Sequence, residues 1–147
     1  MTKPRPESPS PRRGPITLAF HWLNAYPGVC LAVYAVIAFV GTHWPSFGEK
    51  IIRDEPIVRP DKIFHFGGFL VYAVVLANVL GRRFSFAVTV TLCVVGLGVY
   101  GVFDELTQPF FNRTADVNDW AANMAGVAVG LIVYRVLRNN RLAPANQ

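Results

Sequence analysis

Between Arg13 and Glu49 the chain carries no aspartate, glutamate, lysine or arginine, and three more apolar stretches follow at Ile63 to Leu80, Phe84 to Phe103 and Trp120 to Leu137. A helix that crosses a bilayer needs roughly 20 mostly apolar residues, and four such stretches in 147 residues leave almost no chain for a separate soluble domain. The charged fraction agrees: 16% of the residues are charged, against about a quarter in soluble domains. The expected fold is all-α, an integral membrane four-helix bundle.

The first uncharged stretch is longer than one crossing requires, so its span is placed at about Ala25 to Thr42, with Ile16 to Asn24 lying along the interface through His21 and Trp22. Arg12-Arg13 ahead of an apolar run has the form of a twin-arginine export signal. The length of that run and the lack of a small-x-small cleavage site favour an uncleaved anchor. Residues 1–15 read as a disordered basic tail rich in Pro, Ser and Arg, residues 16–138 as the membrane domain, and residues 139–147 as a short polar tail.

Basic residues near span ends set orientation. With both termini cytoplasmic, the inner side carries nine lysines and arginines against Glu7 alone, and the outer side five against eight acids. Scattered over loops and tails, these bases suit anionic lipid headgroups better than nucleic acid. No nucleic-acid partner is expected, and membrane lipids are. Trp22, Trp44 and Trp120 sit near span boundaries as interfacial anchors, and Cys30 and Cys93 are expected as free thiols.

In this topology three polar clusters share the outer face. Asp61 and Lys62 open the second span with His65 one turn on, Asp104, Glu105 and Gln108 close the third, and Arg113, Asp116, Asp119 and Asn123 lead into the fourth. Helical spacing puts Asp61, His65, Gly68 and Tyr72 on one face, Gly98, Gly101, Glu105 and Gln108 on another, and Asp116, Asp119, Asn123, Gly126 and Gly130 on a third. Gly126 and Gly130 form a small-xxx-small motif, expected to pack helices within the bundle.

Taken singly, each polar residue has a structural reading. Asp116 or Thr114 suits a helix N-cap with Asp119 in the first turn, and Asp61 a cap of the second span. Lys62 suits snorkelling, and Gln108 suits a helix end before Pro109. Their company on one side favours a shared polar site, because ionisable groups near lipid are functional by default.

The residues also resemble the VanZ-like family of small bacterial membrane proteins. The resemblance rests on Asp-Lys-x-x-His-Phe at Asp61 to Phe66, Asp-Glu-x-x-Gln at Asp104 to Gln108, and the run from Arg113 through Asp116, Asp119, Asn123 and Gly126 to Gly130. It covers about Ala25 to Leu137. It implies a four-span protein of the bacterial cytoplasmic membrane, in a family named for a member associated with lowered susceptibility to the glycopeptide teicoplanin. Members often carry a proline just before the loop arginine, whereas here Asn112 precedes Arg113 and the proline is Pro109.

Two functions from different classes remain open. The first is an envelope protein that binds an amphiphile, an envelope lipid or a glycopeptide. There Arg113 and Lys62 either pair with Asp104, Glu105, Asp61 or Asp119 or receive a phosphate or carboxylate. The second is a hydrolase or transferase on a lipid-linked or polyprenyl-phosphate substrate, with Glu105 or Asp104 as general base and His65 as acid or metal ligand. The binding reading is preferred. The His65, Asp and Glu spacing is no recognised ligand signature, and no nucleophile elbow, phosphate loop or HExxH occurs. No cofactor and no metal are therefore expected. The segment from Thr42 to Pro60, with Trp44, Phe47, Ile51 and Ile52, is expected to cover the site as a lid.

Overall fold

The computed structural model describes residues 22–44 and 60–142; the expected basic tail, most of the lid segment and the end of the C-terminal tail lie outside them. Four helices follow in order: α1 (Pro27–His43), α2 (Pro60–Leu80), α3 (Phe86–Thr107) and α4 (Val117–Leu142), with a 3₁₀ turn at Gln108–Phe111 between the last two. The described residues are helical apart from the short connections between helices, as expected, and no strand occurs among them. Helices suit this composition because a backbone in hydrocarbon must satisfy its polar groups internally.

Three of the helices are long and apolar enough to cross a membrane, over Asp61–Leu80, Phe86–Phe111 and Val117–Asn139. At 17 residues α1 is shorter, spanning about 26 Å. Its start is set by Pro27, which cannot donate to the Leu23 carbonyl four residues earlier. Asn78 Nδ2 from α2 and Arg82 Nη2 from the turn that follows it approach that carbonyl instead, at 3.3 and 3.4 Å. The helix is thus anchored at the break that shortens it.

The most intimate pair is α2 with α4; α3 packs on α4, and α1 lies against α2. Glycine explains the first contact. A Cβ at Gly126 would collide with the Phe66 carbonyl oxygen, and one at Gly130 with that of Leu70, so the α4 backbone rides directly on α2. The small-xxx-small motif therefore packs the bundle from within, as its spacing suggested. Below this contact Phe69, Tyr72, Ala73, Leu97, Val127 and Leu131 form the core. Tyr34 joins α1 to it by donating to the Gly68 carbonyl at 2.7 Å and setting its ring edge-on to Tyr72.

The pattern of exposure is the reverse of a soluble bundle's. Val33, Val36, Ile37, Val95, Val99, Val102, Leu106, Ile132 and Val136 are exposed, while His43, His65, Asp104, Glu105, Gln108, Asp119 and Asn123 are buried. An apolar exterior around a polar interior fits lipid as the surrounding solvent.

Candidate functional site

Apart from Asn78 and Thr89, the buried polar residues gather at one end of the bundle in two linked groups. The first joins α1 to α3. Asp104, fully buried, receives the Thr42 hydroxyl at 2.7 Å on Oδ1. Beside it, His43 sets Nδ1 2.8 Å from the Phe39 carbonyl and Nε2 2.8 Å from the Thr107 hydroxyl. A carbonyl only accepts, so Nδ1 carries a proton. The imidazole stacks on Phe39 and meets the edge of Phe111, which fixes its plane.

The second group joins α2, α3 and the start of α4. Lys62 Nζ donates to Asp116 Oδ2 at 2.9 Å and Asp119 Oδ1 at 2.6 Å. Asp116 caps α4, its Oδ1 accepting the Asn118 N–H at 2.9 Å. The Lys62 ammonium first, and then that N–H, lower the Asp116 carboxyl from its usual range to about 2. His65 Nδ1 lies 3.0 Å from Asn123 Oδ1. Glu105 accepts the Asp116 N–H on Oε2 at 3.0 Å and so ties the end of α3 to the start of α4. Gln108 links the groups: its Nε2 lies 3.4 Å from Asp104 Oδ2 and 3.3 Å from Glu105 Oε1.

A cavity of about 310 Å³ opens beside this network between α1 and α2. Tyr34, Ile37, Ala38, Phe64 and Phe69 wall it, and Thr42, Asp61, His65 and Arg113 stand at its polar end. Another cavity, of about 260 Å³ and lined by Arg82, Tyr134 and Arg138, lies near the other end of the bundle.

Of the residues expected at the site, Lys62, His65, Asp104, Glu105, Gln108, Asp116, Asp119 and Asn123 meet in this network. One pair of alternatives narrows and one expectation changes. Arg113 pairs with no carboxylate among the described residues; its guanidinium donates to the Thr42 carbonyl. Asp61 lies within the first turn of α2, which already includes Pro60; its Oδ1 accepts the Lys62 N–H at 3.0 Å, and it also stands at the cavity. Trp120, half-buried near the start of α4, donates its indole N–H to the Gly98 carbonyl at 3.2 Å. The expected end of α3 at Gln108 holds to within a residue, although Gln108 keeps right-handed helical angles (φ −54°, ψ −38°) despite Pro109.

Thr42, His43 and Thr107 are site residues that the sequence reading passed over. A histidine closing a long uncharged stretch was the available signal, because a polar ring beside lipid needs partners. The loop explains the family departure. Asn112 adopts the left-handed conformation (φ 58°, ψ 35°), which asparagine tolerates and proline, fixed near φ −65°, cannot enter. It turns the chain so that Arg113 points back to α1.

No curated protein and no solved structure matches the chain. The family profile described as VanZ/LLP1 matches residues 16–138, most of the sequence and all four helices but for the last residues of α4. The helical membrane architecture and the ordered motifs at its polar end agree with that match, and the chain belongs to the VanZ-like family.

Proposed function

We propose that this membrane protein acts in the cell envelope by binding an anionic amphiphile, a lipid or a teicoplanin-type glycopeptide, at its polar end. The observation that carries the reading is the joining of an apolar cavity to an arginine. Acyl-sized space between α1 and α2 ends at Arg113, whose guanidinium is engaged by a backbone carbonyl and by no carboxylate among the described residues. Its remaining N–H donors suit a phosphate or carboxylate. Three of the neighbouring acids are engaged within the protein: Asp116 and Asp119 by the shared Lys62 ammonium, and Asp104 by hydrogen bonds from Thr42 and Gln108. The distribution of basic residues supports an outward-facing polar end in the bacterial cytoplasmic membrane.

Susceptibility measured together with membrane abundance tests this role. Arg113→Ala and Glu105→Gln are expected to accumulate like the wild type and to lose tolerance to teicoplanin or envelope stress. Full tolerance in both variants at normal abundance contradicts the role, as does a reporter fusion that puts the Asp104 to Asn123 region in the cytoplasm.

A second reading, hydrolysis or transfer on a lipid-linked substrate, is favoured by one observation: Glu105 and His65 lie in a group of buried ligating side chains completed by Asp119. Turnover of a polyprenyl phosphate or phospholipid by the purified protein, abolished by Glu105→Gln, would select it over binding.

A further inference from the structure

Three buried side chains from three helices turn toward one point. His65 on α2, Glu105 on α3 and Asp119 on α4 are 2%, 7% and 2% exposed, and one ligating atom of each lies within 4.8 Å of the other two. Hydrogen bonding leaves part of this group unused. His65 Nδ1 faces the Asn123 amide oxygen at 3.0 Å; that oxygen only accepts, so Nδ1 carries a proton, and in the neutral ring Nε2 presents its lone pair. His65 Nε2 is buried with no hydrogen-bond partner, 3.7 Å from Asp119 Oδ2. That separation is too long for a hydrogen bond even with the proton on Nε2.

Two acceptors facing each other out of contact with water are unfavourable unless something positive lies between them. Lys62 does not serve, because its ammonium sits on the other oxygen of Asp119, 2.6 Å away. The wider charge count points the same way. Among the described residues, Asp61, Asp104, Glu105, Asp116 and Asp119 share this end with Lys62 and Arg113 as the permanent cations, an imbalance that a divalent ion reduces.

We propose that His65 Nε2, a Glu105 carboxylate oxygen and Asp119 Oδ2 bind a divalent transition-metal ion of the zinc or manganese kind. An imidazole nitrogen with two carboxylates is a donor set suited to these borderline ions. Tetrahedral ligand bonds of about 2.0–2.2 Å put donor atoms roughly 3.3–3.6 Å apart, so from positions within 4.8 Å of one another the three side chains draw inward by about an ångström or less to close on an ion. The outer contacts a metal site needs are in place. Asn123 orients the imidazole, the Asp116 N–H and Gln108 hold Glu105, and Lys62 holds Asp119. Three protein ligands leave coordination positions open to water or to an oxygen of a bound molecule. The site meets the amphiphile cavity through His65, which stands at the cavity's polar end, while Arg113 and the apolar cavity walls supply none of its ligands.

The test uses the full chain in detergent micelles, stripped with chelator and titrated separately with Zn²⁺ and Mn²⁺. Bound metal per chain is read by elemental mass spectrometry after desalting, and free Mn²⁺ by paramagnetic resonance. The expected result is one ion per chain for at least one of the two metals, with affinity lowered by about tenfold or more in His65→Gln and in Asp119→Asn. Arg113→Ala is expected to bind the ion as the wild type does. Absorption bands of a bound Co²⁺ ion that change in His65→Gln would establish the imidazole as a ligand. Wild-type protein that holds no metal above the buffer background overturns the proposal. So does unchanged affinity in His65→Gln and Asp119→Asn variants that elute and melt as folded protein.

Discussion

At the scale of single residues, Lys62 is the group whose loss is most informative. It neutralises Asp119, which is 2% exposed, so Lys62→Met leaves a buried carboxylate without its cation. Removing one partner of a fully buried pair costs about 3–5 kcal/mol. Lys62 retains 25% side-chain exposure, which screens the pair and puts the expected loss lower, on the order of 2 kcal/mol. Unfolding in mixed micelles measures it, and adding Asp119→Asn should recover part of the loss. Asp116 makes a separate prediction about pH. Its folded pKa, about 2, lies below the ordinary value of 3.8, so its contribution is complete above about pH 4 and disappears as pH falls toward 2. Asp116→Asn should therefore be less stable than the wild type at pH 7, and the gap should narrow between pH 4 and pH 2. Asn112 shows what single residues conceal. Its replacement of the usual proline stood out in the sequence, but the left-handed angle that accounts for it did not. Asn112→Gly should leave stability within a few tenths of a kcal/mol, whereas Asn112→Pro should displace Arg113 and cost more than about 1 kcal/mol.

At the scale of helices, the seam between α2 and α4 carries the clearest prediction. Gly126→Ala drives a methyl group into the Phe66 carbonyl, and Gly130→Ala one into that of Leu70. Both obstacles are backbone, so the helices must separate, at an expected cost of about 1–3 kcal/mol for each variant. Resistance to unfolding by detergent, measured against Gly96→Ala, where a Cβ meets open space, isolates the effect. This seam was legible because helical spacing places Gly126 and Gly130 in line below Asn123 and Asp119. The start of α1 was less so. It lies at Pro27, two residues beyond the expected boundary, and is fixed with help from Asn78 on α2 and Arg82 in the turn that follows α2. No local pattern records such help.

At the scale of the whole molecule, the apolar stretches and the basic bias were enough to suggest helices with their acids gathered at one end. What they left out was which helix meets which. Thr42 touches Asp104 and His43 touches Thr107 across more than 60 residues of sequence, and neither α1 residue belongs to the motifs that drew attention to the other helices. The closing contact of the polar end thus came from the element with the fewest charges. The account's central claim is that this end, together with the cavity beside it, holds the headgroup and chain of an anionic amphiphile. Native mass spectrometry of the full chain with an anionic phospholipid, compared with Arg113→Ala and with the cavity-filling Ile37→Trp, tests it most directly. One retained lipid per wild-type chain, lost from both variants while a zwitterionic lipid is retained by none, is the predicted result. Equal retention of the anionic lipid by all three proteins would contradict it.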